Sequence, residues 1–238
     1  MTSVNLAPAP DWTLPADRIR PTLQQVFQTL DADSCPHSYN FHIHTIFSDG
    51  QLRPEELMEQ AIANGLQGLA ITDHHSVGGY EVAKNWLENW KLENPDKSWA
   101  APTLWSGVEI SAQLLTTEVH ILGYDFDPQA PSLEPYLRGE NPTGEDYQGA
   151  KVIAAIQEAG GFAVLAHPCR YRISAAKLIP EAARLGINGV ETYYSYANTK
   201  PWLASPKQSK QVKELGNRYG LIHTCGTDTH GENILVRL

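Results

Sequence analysis

The chain has 238 residues, of which 42% are hydrophobic and 19% charged, and its formal net charge is −9. That balance describes a globular protein of one or two domains with a substantial core rather than a disordered chain. No stretch approaches the roughly 18 apolar residues of a membrane span, and the acidic balance argues against stable binding of duplex nucleic acid. Residues 1–17 carry Asp11 and Asp17 and lack the basic and apolar regions of a secretory signal. Cys35, Cys169 and Cys225 are few, odd in number and far apart, which fits reduced thiols and a cytoplasmic location.

Residues 1–38 read as an N-terminal extension with one amphipathic stretch, 21–30, and no chemistry of its own; its expected role is a lid or clasp on the main body. From residue 39 a rhythm begins. Strand-like runs at 39–43, 68–72, 103–108, 119–123, 162–166, 189–192 and 221–225 alternate with helical patterns at 54–64, 77–90, 146–159, 175–185 and 207–219. Such alternation predicts parallel βαβ units. Pro54 suits a first helical turn, and Gly65, Gly160, Gly186 and Gly220 each fall just past a helical pattern. No helix is evident between the runs at 103–108 and 119–123, and 125–143 reads as a surface loop.

Seven strands fit an open sheet or a closed barrel. Polar residues favour the barrel, because nearly every run ends in His, Asp or Glu, and closure would bring those ends to one mouth. His42-x-His44 lies on a strand, where residues two apart face the same way. Asp49 follows in a turn. His74 and His75 come after the run at 68–72, Glu109 follows 103–108, His120 lies within 119–123, His167 follows 162–166, and Asp228-x-His230 follows 221–225. Alone, each has an ordinary account as a cap or a carbonyl-bonded side chain. Together they would be costly in one mouth without cations to neutralise them. Imidazole and carboxylate without thiolate suits zinc, manganese or iron, and so many ligands suit two or three divalent ions sharing a carboxylate.

In order, Phe41-His42-Ile43-His44-Thr45, Ser48-Asp49-Gly50, Ile71-Thr72-Asp73-His74, Gly107-Val108-Glu109, Val119-His120, Ala166-His167-Pro168 and Gly226-Thr227-Asp228-Thr229-His230-Gly231 resemble the motifs of the PHP (polymerase and histidinol phosphatase) superfamily, most nearly its small stand-alone phosphoesterases. The resemblance implies a distorted (β/α)7 barrel over 39–238, with a three-metal site at the C-terminal ends of the strands. It assigns His42, His44, Glu109 and Asp228 to one ion, Asp49, His74 and His230 to a second, and Glu109, His120 and His167 to a third, with Glu109 bridging. Arg170 matches a family arginine that grips substrate phosphate, so the implied catalytic set is Glu109, Asp228 and Arg170. His75 replaces a usual Asp and is a further candidate substrate contact or a surface residue. The helical cap the subgroup carries is short or absent around 125–145, and Tyr196-Ala197-Asn198 stands where the family has a His.

The expected function is hydrolysis of phosphate esters of small molecules, nucleotides or short RNA ends by a metal-activated hydroxide. The residues leave two alternatives open. A metal-dependent C–N hydrolase would want a lysine at a strand end, where this chain has none; a non-catalytic binding module of the same fold would be expected to lose ligands, which this chain keeps.

Overall fold

The computed structural model describes residues 21–238; the first part of the extension lies outside the described residues. Helix α1, Leu23–Thr29, opens with a capping box in which Thr22 and Gln25 satisfy each other's backbone N–H groups. Its apolar stripe of Leu23, Val26 and Phe27 is buried among Phe41, Tyr124, Val164, Ala166 and Cys225. Phe27 makes edge contacts with Phe41, Tyr124 and Phe162 at 5.0, 5.6 and 6.2 Å between ring centres.

The chain then runs β1 (Tyr39–Asn40), α2 (Pro54–Ala63), β2 (Gly68–Ala70), α3 (Gly78–Glu93), β3 (Thr103–Trp105), β4 (Gly107–Leu114), β5 (Thr117–Tyr124), α4 (Gly149–Glu158), β6 (Phe162–Leu165), α5 (Ala175–Arg184), β7 (Gly189–Tyr193), α6 (Pro206–Arg218) and β8 (Ile222–Cys225). The expected run at 103–108 is thus two strands, and there are eight among the described residues. Ser106 makes the break: its Oγ donates to the Phe126 carbonyl and accepts from the Phe126 N–H, tying the chain to the end of β5.

Hydrogen bonding divides the strands into two sheets, a parallel β1-β2-β3 and a mixed β4-β5-β6-β7-β8 in which β5 is antiparallel to both neighbours. A closed, all-parallel ring is therefore not what the described strands form. With no helix between them, β4 and β5 pair as a hairpin, as adjacent strands joined by a short turn must. Two isolated parallel bridges, Ile43 with Thr229 and His74 with Glu109, link the sheets.

Tyr124 and Phe162 face each other at the start of β6, so α1 packs at the end of that strand remote from His167. The buried residues of this segment, Leu23, Val26, Phe27, Leu30 and Cys35, therefore join the core on the side away from the candidate ligands, where a lid over them was expected. Between β5 and α4, a short 3-10 turn, Pro131–Tyr136, buries Leu133 and Tyr136 in the same cluster as α4. No helix among the described residues is long and apolar enough to cross a membrane.

Candidate metal centre

The Ile43–Thr229 bridge explains how two distant motifs meet. The His44 N–H donates to the Thr229 carbonyl at 2.9 Å and the Asp228 N–H to the His42 carbonyl at 2.8 Å. Strand periodicity turns His42 and His44 to the face opposite Ile43, and the bridge sets Asp228 and His230 against that same face. Gly226 permits this approach, because a Cβ there would lie 2.1 Å from His42 Cβ. On the hairpin, Ser111 pairs with His120, which places His120 diagonally across from Glu109 on the same face. His167 and Asp228 both adopt left-handed backbone, with φ of 27° and 56°, at the turns where the chain leaves β6 and β8. Such non-glycine conformations cost of order 1–3 kcal/mol each and collect where a site demands them.

Glu109, 1% exposed, is the centre of the arrangement. Its Oε2 lies 3.0 Å from His42 Nε2, 3.1 Å from His44 Nε2 and 3.6 Å from His74 Nε2. Its Oε1 lies 2.8 Å from His120 Nδ1 and 3.3 Å from His167 Nε2. Asp228 Oδ1 faces His42, His44 and His230 at 3.4, 3.3 and 3.5 Å. Asp49 Oδ2 reaches His230 Nε2 at 3.2 Å and His74 Nε2 at 3.9 Å. All nine sequence-derived ligand candidates therefore converge. The buried side is His42, His44, Glu109, His167 and Asp228; Asp49, with 55% of its side chain exposed, marks the open side.

Three donor groups stand close enough to share an ion: His42, His44, Glu109 and Asp228; His44, Asp49, His74 and His230; and His74, Glu109 and His120. The first matches the set implied by the resemblance, the second adds His44, and the third has His74 where His167 was expected. The donor chemistry fits a divalent cation. His44 Nε2 is buried without a well-aligned hydrogen bond and points between two carboxylates, an arrangement a cation would satisfy.

Charge within the cluster is shared between carboxylates and imidazoles. Burial works against protonation of His44, but Asp228 and Glu109 beside it prevail and hold its imidazole up at about 9. His42 is likewise raised, burial being outweighed by Glu109, Glu191 and Asp228. Burial pushes His74 down to about 4. Glu109 and Asp228 are held well below the usual carboxylate range, their burial outweighed above all by the charge of His42.

Several supporting residues escaped the sequence reading. Glu191, fully buried in β7, accepts from His42 Nδ1 at 2.9 Å and from the His167 N–H at 2.8 Å. It fixes the ring so that Nε2 faces the cluster, a role carboxylates often play behind a ligand histidine. Buried Asp73 accepts from the Thr45 N–H, the Thr45 hydroxyl and the Ser48 hydroxyl, setting the turn that presents Asp49. Asp228 Oδ2 accepts from Arg170 Nη1 (2.9 Å), Tyr194 OH (2.7 Å) and Arg237 Nε (2.9 Å). The signal available for Glu191 was a carboxylate inside an otherwise apolar strand, which burial obliges to find partners.

His75 does not lie on the surface. It is 2% exposed, left-handed with φ 53°, and its Nε2 accepts from the Ser111 N–H at 3.3 Å. Its carbonyl accepts from the Gly139 N–H, so the loop after the 3-10 turn packs against it. Arg170 sits beside Asp228 at the edge of the cluster, its side chain 41% exposed.

An α/β fold that gathers imidazoles and carboxylates from the turns after its strands, and Glu109 and His120 from within β4 and β5 rather than from strand ends, defines a class of metal-site proteins. Residues 40–224 match the PHP domain model, and the chain belongs to that family. It is 29% identical over 157 residues to a 5'-3' exoribonuclease of Haemophilus influenzae, covering 59% of this chain and 52% of that one. It is 23% identical over 265 residues to a phosphoribosyl 1,2-cyclic phosphate 1,2-diphosphodiesterase of Eggerthella lenta, covering 81% and 94%. The chain spans about half or less of the length of the exoribonucleases it matches. Among solved structures, a candidate metal-dependent phosphoesterase of Bifidobacterium adolescentis superposes with a TM-score of 0.65 at 22% identity, covering 83% and 89%. An amidohydrolase of Chromobacterium violaceum, solved with bound sulfate, gives 0.66 at 21%, covering 84% and 90%.

Proposed function

We propose that this chain is a metal-dependent phosphoesterase that hydrolyses phosphate esters of small molecules, nucleotides or RNA ends. The observation that carries the reading is Glu109, a buried carboxylate facing five imidazoles, with Asp228 behind two of them. His42, His44, Glu109 and Asp228 would hold one divalent ion; Asp49, His74 and His230, with His44 in reach, a second; and Glu109 and His120, with His74 or His167, a third. When bound, such ions acidify water and neutralise charge on phosphoryl oxygens.

The chain's own side chains do the rest. Glu109 presents one oxygen to each side of the cluster and keeps neighbouring donors in register. Glu191 holds His42 in one tautomer. Arg170, half exposed beside Asp228, offers N–H donors to nonbridging phosphate oxygens, and a guanidinium fork suits that geometry. The open side at Asp49, His74 and His120 admits the ester and water. The names of the Haemophilus and Eggerthella relatives support substrates in the nucleotide and ribosyl phosphate range.

The test is metal content together with hydrolysis of p-nitrophenyl phosphate and bis-p-nitrophenyl phosphate by wild type and Glu109→Gln. We expect hydrolysis by the wild type, and loss of both metal and turnover in the variant. A folded variant with wild-type metal and rate would refute the bridging role of Glu109. A wild type that binds no metal would refute the proposal.

A further inference from the structure

Asp228 divides its two oxygens between two tasks. Oδ1 faces His42, His44 and His230, whereas Oδ2 accepts from Arg170, Arg237 and Tyr194. Tyr194 stays a neutral donor, its phenol pushed up by burial and by Asp228. Two permanently charged guanidiniums therefore share one carboxylate oxygen, and that carboxylate is already claimed on its other side. The local balance is an excess of positive charge at the edge of the cluster. Arg237 is held at this place by its own backbone. Its carbonyl accepts from the His230 and Gly231 N–H groups at 2.8 and 3.3 Å, and the Val236 carbonyl accepts from the Thr229 hydroxyl at 2.8 Å. The segment is stitched to the strand end that carries Asp228 and His230. A guanidinium has five N–H donors, Asp228 and Tyr194 engage part of Arg237's, and the side chain retains 18% exposure.

We infer that Arg237 is a second phosphate grip beside Arg170, and that the pair selects doubly charged phosphate groups over singly charged diesters. The inference rests on the phosphoesterase reading of the same site. Two cations against one half-committed carboxylate match a terminal phosphate, which carries close to two negative charges at neutral pH. A diester, with one charge, leaves the pair under-neutralised.

Calorimetry of the metal-loaded protein with inorganic phosphate and with dimethyl phosphate tests this, in wild type, Arg237→Gln and Arg237→Lys, with metal content and p-nitrophenyl phosphate kinetics measured alongside. Arg237→Gln is expected to weaken phosphate binding about tenfold or more, as loss of charge-assisted bonds does. Dimethyl phosphate binding and metal content should change little, and KM should rise while kcat stays within about threefold. Arg237→Lys keeps a positive charge near Asp228 but loses the fork, so an intermediate loss is expected, and it decides the matter should the glutamine variant not fold. Wild-type phosphate affinity in the folded variants would overturn the inference. So would metal lost in step with phosphate, which would make Arg237 a prop for Asp228. A wild type that binds phosphate yet cleaves no ester would count against the phosphoesterase reading alone, and the binding comparison would still decide on Arg237.

Discussion

Replacing Glu191 with glutamine changes almost no volume and removes one charge, at a position where both carboxylate oxygens are in use. Oε1 meets His42 Nδ1 at 2.9 Å and Oε2 meets the His167 N–H at 2.8 Å, with Glu191 and His42 both 0% exposed. A glutamine offers only one acceptor oxygen. Either the His167 N–H or the His42 ring then faces an amide NH2, and a buried donor left without an acceptor costs about 1–3 kcal/mol. If the amide turns its oxygen to the backbone, His42 is free to take the wrong tautomer and present Nε2–H to the cluster. Loss of such an orienting carboxylate typically lowers metal affinity about 10–100-fold. The assay is competition for zinc or manganese against a chromogenic chelator, with thermal unfolding recorded on the same samples. Metal affinity within about twofold of wild type, in a folded variant, would show that Glu191 does not set the His42 ring and would refute the reasoning.

Loading the chelator-stripped protein with a divalent ion at pH 7 should release protons, because ligation needs a neutral imidazole and His44 is held charged up to about 9. The release, followed in weakly buffered solution, should shrink above pH 9. Without metal, a raised imidazole pKa stabilises the fold fully below its unfolded value of about 6.5, and that contribution disappears as pH rises through about 9. The stripped protein should therefore lose unfolding free energy across that window. Phe27→Ala should cost about 3–5 kcal/mol and lower Tm by roughly 6–20 °C, with metal affinity unchanged, since Phe27 is core on the side away from the ligands. Gly226→Ala should do the reverse in emphasis: its Cβ would meet His42 Cβ at 2.1 Å, so metal affinity should drop together with stability, by chelator competition and thermal melts.

The candidate ligands could be read in the sequence because their spacing carries physics. His42-x-His44 follows the two-residue strand period, and the Ile43–Thr229 bridge brings Asp228 and His230, on the turn after β8, beside it. Helices α2, α5 and α6 follow the expected ranges closely, since each has an apolar face and a clear stop signal. The division into two sheets was not legible. Ser106 interrupts a run that looks continuous, and its bonds to Phe126 are invisible in a hydrophobic pattern. Strand β4 is buried on nearly its whole length, so alternation could not announce its antiparallel partner. Arg237 had no signal at all. It directly follows the short apolar stretch Ile234-Leu235-Val236, and only the return of that stretch over residues 229–231 brings it to Asp228. His75 looked like an extra polar residue at the mouth; the loop after Tyr136 covers it instead.

Locating bound cations by anomalous scattering from crystals grown with manganese or zinc would bear most directly on all of this. Ions within coordination distance of both Glu109 oxygens, sharing His42, His44 and Asp228 on one side and His120 on the other, are the predicted result. Ions bound only elsewhere, with Glu109 still paired to protonated imidazoles at saturating metal, would contradict it.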